Sequence, residues 1–149
     1  MQEEAFEKVK LQVGPCGITC GTCPLGNGTI VETSKKTLDY VNGYGIKEWA
    51  ALVPGGKGLD WAGFEKTLGW LTIYGYCFGC EQGGGPPDCT IRSCSKEKGY
   101  DLCSQCGDVD GCDRFNWLGE HATTMKKNLK ENKGKTKEEL AKAAIKAMG

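Results

Sequence analysis

Seven cysteines fall between positions 77 and 112, and three more between 16 and 23. A stretch so rich in thiols and turn residues buries too little apolar surface to fold alone, so bound ligands must organise it. In order the chain reads Cys16-Gly-Ile-Thr-Cys20-Gly-Thr-Cys23-Pro24, then Cys77-Phe-Gly-Cys80, Cys89, Cys94, Cys103-Ser-Gln-Cys106 and Cys112. C-x2-C is a metal-ligand spacing. A tight turn lets two thiolates face one point about 3.5–4 Å apart, with metal–sulfur bonds of about 2.3 Å.

Two other uses of cysteine compete with metal. Disulfides need an oxidising compartment. The start, Met1-Gln-Glu-Glu-Ala-Phe-Glu-Lys, is polar, with no apolar run and no small-residue cleavage site, so secretion is not expected. Catalytic thiols need one or two activated cysteines beside a base, whereas this chain has ten cysteines and His121 as its one histidine. Thiolate–metal coordination remains the leading reading. No stretch approaches the roughly 20 apolar residues of a membrane span. A soluble, cytoplasmic protein is expected.

Apolar residues make up 39% of the chain and glycines number 23, which leaves little for a large core. Metal–thiolate crosslinks would supply the missing stability. Net charge is zero, but unevenly spread: from His121 onward stand eight lysines against three glutamates. The lysine-rich end suggests a solvated helical face, with nucleic-acid binding as the sharper alternative. Arginine occurs only as Arg92 and Arg114, which weakens any case for base readout.

The length suits one domain. We expect a helix-dominated α+β fold over residues 1–149, with irregular cysteine knuckles, a cysteine-free helical insert at 25–76 and a lysine-rich helical part at 113–149. Residues 1–13 read as an irregular or extended lead-in. In the insert, Ser34 can cap a helix carrying Leu38 and Val41, and 47–53 forms a second short helix. Asp60 caps a third, with Trp61, Phe64, Leu68 and Leu71 at helical spacing. Three of the four tryptophans lie here and should form its core. Phe115, Leu118, Ala122, Met125 and Leu129 predict one amphipathic helix. Thr136-Lys-Glu-Glu139 matches a capping box, so a last helix should begin at Lys137 with Leu140, Ala144, Ile145 and Met148 on its apolar face.

Cys77, Cys80, Cys103 and Cys106 form C-x2-C-x22-C-x2-C, the leading candidate for one four-thiolate zinc site. Cys89, Cys94 or Cys112 could each replace one of those ligands. Cys16, Cys20 and Cys23 leave a tetrahedral metal one ligand short. We expect closure by Cys112 or another second-half thiol, giving about two zinc ions per chain. An open position there would instead suit catalysis or an iron–sulfur cluster. Asp108, Asp110 and Asp113 read as a solvated turn, and His121 as a surface or half-buried residue. The glycine-rich pieces at 55–58 and 83–87 match no phosphate loop.

The ordered set, with Cys89-Thr-Ile-Arg-Ser-Cys94 and the Lys98-Gly99 lead-in to Cys103-Ser-Gln-Cys106, resembles the domain of unknown function 3795 family of bacteria and archaea. The resemblance covers roughly residues 14–130. It implies a cysteine-rich, zinc-binding protein and supplies no reaction. The function expected is therefore structural zinc binding in an interaction module with a protein partner, with enzyme activity left open. The alternatives are an iron–sulfur or redox protein with an open site at Cys16, Cys20 and Cys23, and a nucleic-acid-binding zinc-knuckle protein.

Overall fold

The structure is a computed structural model and describes residues 2–148. Seven α-helices lie among those residues: α1 (Gln2–Val9), α2 (Thr29–Gly43), α3 (Ile46–Ala50), α4 (Trp61–Tyr74), α5 (Thr90–Lys98), α6 (His121–Glu131) and α7 (Lys137–Met148). Short 3-10 turns occur at Cys80–Gln82, Cys103–Gln105 and Asp113–Leu118. The chain is 58% helical. The expected α+β class is therefore wrong. Among the described residues pairing is limited to an isolated antiparallel bridge, Val13 to Thr19. Gly17, at φ 88°, takes a left-handed angle in the turn between the bridged residues.

The chain divides into two compact units. One is made from the chain up to Asn27 and from Cys77 onward; the other is Gly28–Tyr76. All ten cysteines belong to the first.

In Gly28–Tyr76, α2 packs against α4 and α3. Asp60 caps α4 as expected, its carboxylate accepting from the Gly63 amide at 2.9 Å. Ser34 does not cap: α2 begins five residues earlier, at Thr29, and Ser34 is buried within it. The tryptophans do not form a core. Trp49 is 60% exposed and Trp70 57%, and α4 contains no fully buried residue. A unit this small cannot enclose large rings on all sides.

The cysteine-bearing unit has two small cores. Ile91, Val109, Phe115 and Leu129 form the first, with Cys16, Cys89, Cys103, Cys106 and Cys112 packed around them. Val13, Leu102 and Ala141 form the second, joined by Leu140. The capping box at α7 is present: the Glu139 amide donates to Thr136 Oγ1 at 3.2 Å, and the Thr136 amide donates to Glu139 Oε2 at 2.8 Å. The face of α7 differs from expectation, since Ala141 and Leu140 pack inward while Ile145 and Met148 are exposed.

Two further expectations fail for local reasons. The lead-in is helical over α1, because its Glu, Ala and Lys residues favour helix and Val9 gains a buried seat. The helix expected from Phe115 to Leu129 is broken at Gly119, where φ is 59°. Its apolar stripe survives the break. Phe115 is 1% exposed and Leu129 2%, both in the same core.

Candidate metal centre

Two backbone devices bring Cys20 and Cys23 towards Cys77 and Cys80. The Cys20 amide donates to the Gln12 carbonyl at 3.0 Å, and the Cys23 amide to the Cys20 carbonyl at 3.2 Å, which curls this segment into a tight turn. The Cys77 amide then donates to the Leu25 carbonyl at 3.0 Å, so the returning chain is fastened beside it. Next, the Gly79 amide points back at Cys77 Sγ, 3.4 Å away, in the manner of a metal knuckle. Gln12 holds this knuckle from outside: its Nε2 donates to the Phe78 carbonyl at 3.2 Å and its Oε1 accepts from the Glu81 amide at 3.3 Å. Gly84 closes it, its amide donating to the Gly79 carbonyl at 2.8 Å. A Cβ on Gly84 would lie 2.6 Å from Cys77 Sγ, so glycine is required there.

Electrostatics tie the same four thiols together. Burial pushes the Cys20 thiol from the ordinary 9.0 up to about 11, helped by the neighbouring Cys80, Cys77 and Cys23 and partly offset by a backbone hydrogen bond from Cys80. Cys80 is raised too, first by burial and then by Cys77 and Cys89, while Arg92 and Lys137 act in the opposite sense. Arg92 is itself fastened, donating to the carbonyls of Gly84 at 2.6 Å and Pro86 at 3.0 Å.

A second thiol group surrounds Cys103. The Cys103 amide donates to the Pro15 carbonyl at 2.8 Å, which sets Cys16 beside it. Burial pushes the Cys103 thiol up to about 12, with Cys16, Cys112, Cys94 and Cys106 adding to the rise. Cys94, Cys103, Cys106 and Cys112 line a single cleft of about 510 Å³, with Ile91, Val109 and Phe115 among its walls. Cys94 stands on α5 one turn after the buried Ile91. Gln105 fixes the Cys103–Cys106 turn by accepting from the amides of Asp101 at 2.7 Å and Leu102 at 3.2 Å. Cys16 also feels Cys80 and Cys89, and burial foremost raises it to about 11. Cys16 and Cys89 thus lie between the two groups.

This grouping differs from the spacing-based expectation. The thiols of Cys80, Cys77 and Cys23 act on Cys20, whereas those of Cys16, Cys112, Cys94 and Cys106 act on Cys103. Cys16 borders both groups: Cys80 and Cys89 act on it, and it acts on Cys103. Asp108, Asp110 and Asp113 are exposed, although they border the cleft, and Asp110 is ion-paired with Lys130 at 2.7 Å. His121 is exposed at the start of α6. The residues that sequence reading overlooked are the clamps: Gln12, Arg92 and Lys126. Only Arg92, one of two arginines, carried any signal.

All ten cysteines are free thiols. Their donor chemistry suits a thiophilic ion, and each group supplies at least four sulfurs. Among the described residues, no three Cys, His, Asp or Glu side chains already form a single-ion cage.

A helical body whose cysteines gather into two neighbouring groups defines a thiol-rich protein class. Residues 12–117 match the sequence profile of the family described as "Protein of unknown function (DUF3795)", and the chain belongs to that family. The matched region contains every cysteine and ends before α6. No curated protein and no solved structure matches the chain.

Proposed function

We propose that this protein binds zinc through cysteine thiolates at two structural sites and uses the stapled body as a platform for a protein partner. The observation that carries the reading is the gathering of ten free thiols into one unit, around Cys80 and around Cys103. Like-charged thiolates side by side are unfavourable unless a cation lies among them. The first site is Cys20, Cys23, Cys77 and Cys80. Its two halves flank the stretch Gly28–Tyr76 in the sequence, so a metal there would close the loop that this stretch makes. The second site takes its ligands from the thiols around Cys103. A metal at either site would neutralise the sulfurs and cross-link segments that have little apolar core.

Free thiols suit a reducing compartment, and the cytoplasm is the location proposed. No described helix is long and apolar enough to cross a membrane. Exposed rings at Tyr44, Trp49, Trp70 and Tyr74 favour a protein partner. Lys127, Lys130, Lys137 and Lys142 stand in ion pairs with carboxylates, which favours a protein partner over nucleic acid.

Elemental analysis with zinc-edge absorption spectroscopy tests the metal. About two zinc ions, each with four sulfur neighbours, is the expected result. A brown protein containing iron and sulfide would overturn zinc.

A further inference from the structure

We propose that a second cleft, bordered by α5 and the first residue of α7, binds a small hydroxylated phosphate monoester, with Arg92, Lys96 and Lys137 holding the phosphate. The cleft has a volume of about 630 Å³. Small-molecule sites run from roughly 300 to 1,000 Å³. All its lining residues belong to the cysteine-bearing unit, and the proposal does not depend on the zinc reading.

Arg92 and Lys96 stand one turn apart on the same face of α5, and both line the cleft. Arg92 is half-buried, and its guanidinium is fixed by donating to the carbonyls of Gly84, Pro86 and Pro87. Those bonds orient the charge without neutralising it. Among the described residues, neither Arg92 nor Lys96 stands in an ion pair. A partly buried charge with no counter-charge beside it is costly, and a bound anion would relieve that cost. Lys137 brings a third cation from the first position of α7. The helix dipole disfavours a cation there and favours an anion. Its ion pair with Glu81 spans 3.9 Å, beyond hydrogen-bond reach, so the ammonium keeps its donors for another acceptor.

These three cations outnumber the carboxylates that line the cleft, Glu81 and Asp101. A phosphate monoester carries a charge of about −1.5 to −2 at pH 7 and three strong acceptor oxygens, which suits cations arriving from two helices. The cleft is much larger than a phosphate group, so it has room for the rest of the ligand. Pro15, Cys80 and the Tyr100 ring are its main apolar contributions, too few to take an acyl chain. The Asp101 carboxylate and the Tyr100 hydroxyl instead offer partners for ligand hydroxyls. A molecule of sugar-phosphate size and polarity meets all of these requirements.

The test is calorimetric titration of the full chain, as purified, with glucose 6-phosphate, inorganic phosphate and glucose. Glucose 6-phosphate should bind saturably at one site, inorganic phosphate more weakly, and glucose not at all. Lys96→Met and Lys137→Met should each weaken glucose 6-phosphate binding roughly tenfold, since each removes a charge-assisted hydrogen bond. Lys96 is exposed, so its replacement leaves the fold intact. Lys146→Met, on α7 but outside the cleft, should leave the affinity unchanged. Amide exchange mapped by mass spectrometry needs no variant: glucose 6-phosphate should slow exchange in residues 80–83 and 92–101. No saturable binding would overturn the proposal. So would binding that survives both cleft variants, or an equal loss with Lys146→Met, which would mark diffuse attraction to a lysine-rich surface. Inorganic phosphate binding as tightly as glucose 6-phosphate would overturn the ligand class.

Discussion

Lys126 Nζ donates to the carbonyl of Cys112 at 2.8 Å, reaching from α6 to the loop that carries the last cysteine. The same ammonium donates to the Asp110 carbonyl at 3.2 Å and lies 5.6 Å from the centre of the Phe115 ring. One turn later, Lys130 pairs with the Asp110 carboxylate. A helix outside the family-matched region thus holds a thiol-bearing loop in place.

Replacing Lys126 with methionine keeps the stem and removes the donor. Two charge-assisted hydrogen bonds are lost, and stability should fall by about 1–3 kcal/mol. Urea unfolding of the zinc-loaded protein checks the magnitude. Zinc should leave the Cys103 group more readily, with the Cys20 group unaffected. An unchanged urea midpoint would show that the clamp contributes nothing.

Gly84→Ala tests the knuckle. The new methyl would lie 2.6 Å from Cys77 Sγ, 2.7 Å from the Gly79 nitrogen and 2.8 Å from its oxygen. The backbone must shift, at a cost of about 1–3 kcal/mol. Zinc content should drop towards one ion per chain, read by elemental analysis after dialysis against a weak chelator. Retention of both ions would contradict the assignment of Cys77 to a crowded site.

The pH dependence has opposite signs with and without metal. In the metal-free protein, burial foremost holds Cys16 and Cys20 at about 11 and Cys103 at about 12, against 9.0 ordinarily. Above pH 9 the unfolded chain loses these protons before the folded one does. The folded state then binds more protons, so stability falls as pH rises from about 9 through 11–12. Zinc bound as proposed would expel the same protons, so zinc affinity should rise with pH. Urea midpoints of chelated protein between pH 7 and 10, and calorimetric zinc titrations in two buffers of different ionisation enthalpy, check the two signs.

Metal removal should act unevenly. Chelation should weaken the cysteine-bearing segments and speed their amide exchange, since Phe115 and Ile91 share only a small core with five thiols there. The helices α2, α3 and α4 contain no ligand and should keep their far-ultraviolet signal. Circular dichroism with amide exchange mapped by mass spectrometry resolves the two regions. Uniform loss of protection across residues 28–76 would contradict independent folding of that unit.

Phe115→Ala removes the largest fully buried side chain in the unit. Loss of about 3–5 kcal/mol is expected, since the surrounding thiols cannot refill the space. Thermal melting of the zinc-loaded protein measures it, and a shift below that range would mean the core is held chiefly by metal.

The sequence by itself determined what depends on neighbours a few residues apart. The Thr136–Glu139 capping box and the Asp60 cap were legible because each is closed by hydrogen bonds between residues three positions apart. The thiol content, with its C-x2-C turns, announced coordination chemistry for the same reason. Tertiary structure alone decided which thiols meet. Cys23 and Cys77 flank residues 28–76 in the sequence, and the Cys77–Leu25 and Cys103–Pro15 backbone bonds that draw distant cysteine segments together are recorded by no spacing. It also broke the helix expected from Phe115 to Leu129 at Gly119, which takes a left-handed angle. Those choices depend on contacts between distant parts of the chain, and a distant contact leaves no periodic trace in the residues that make it.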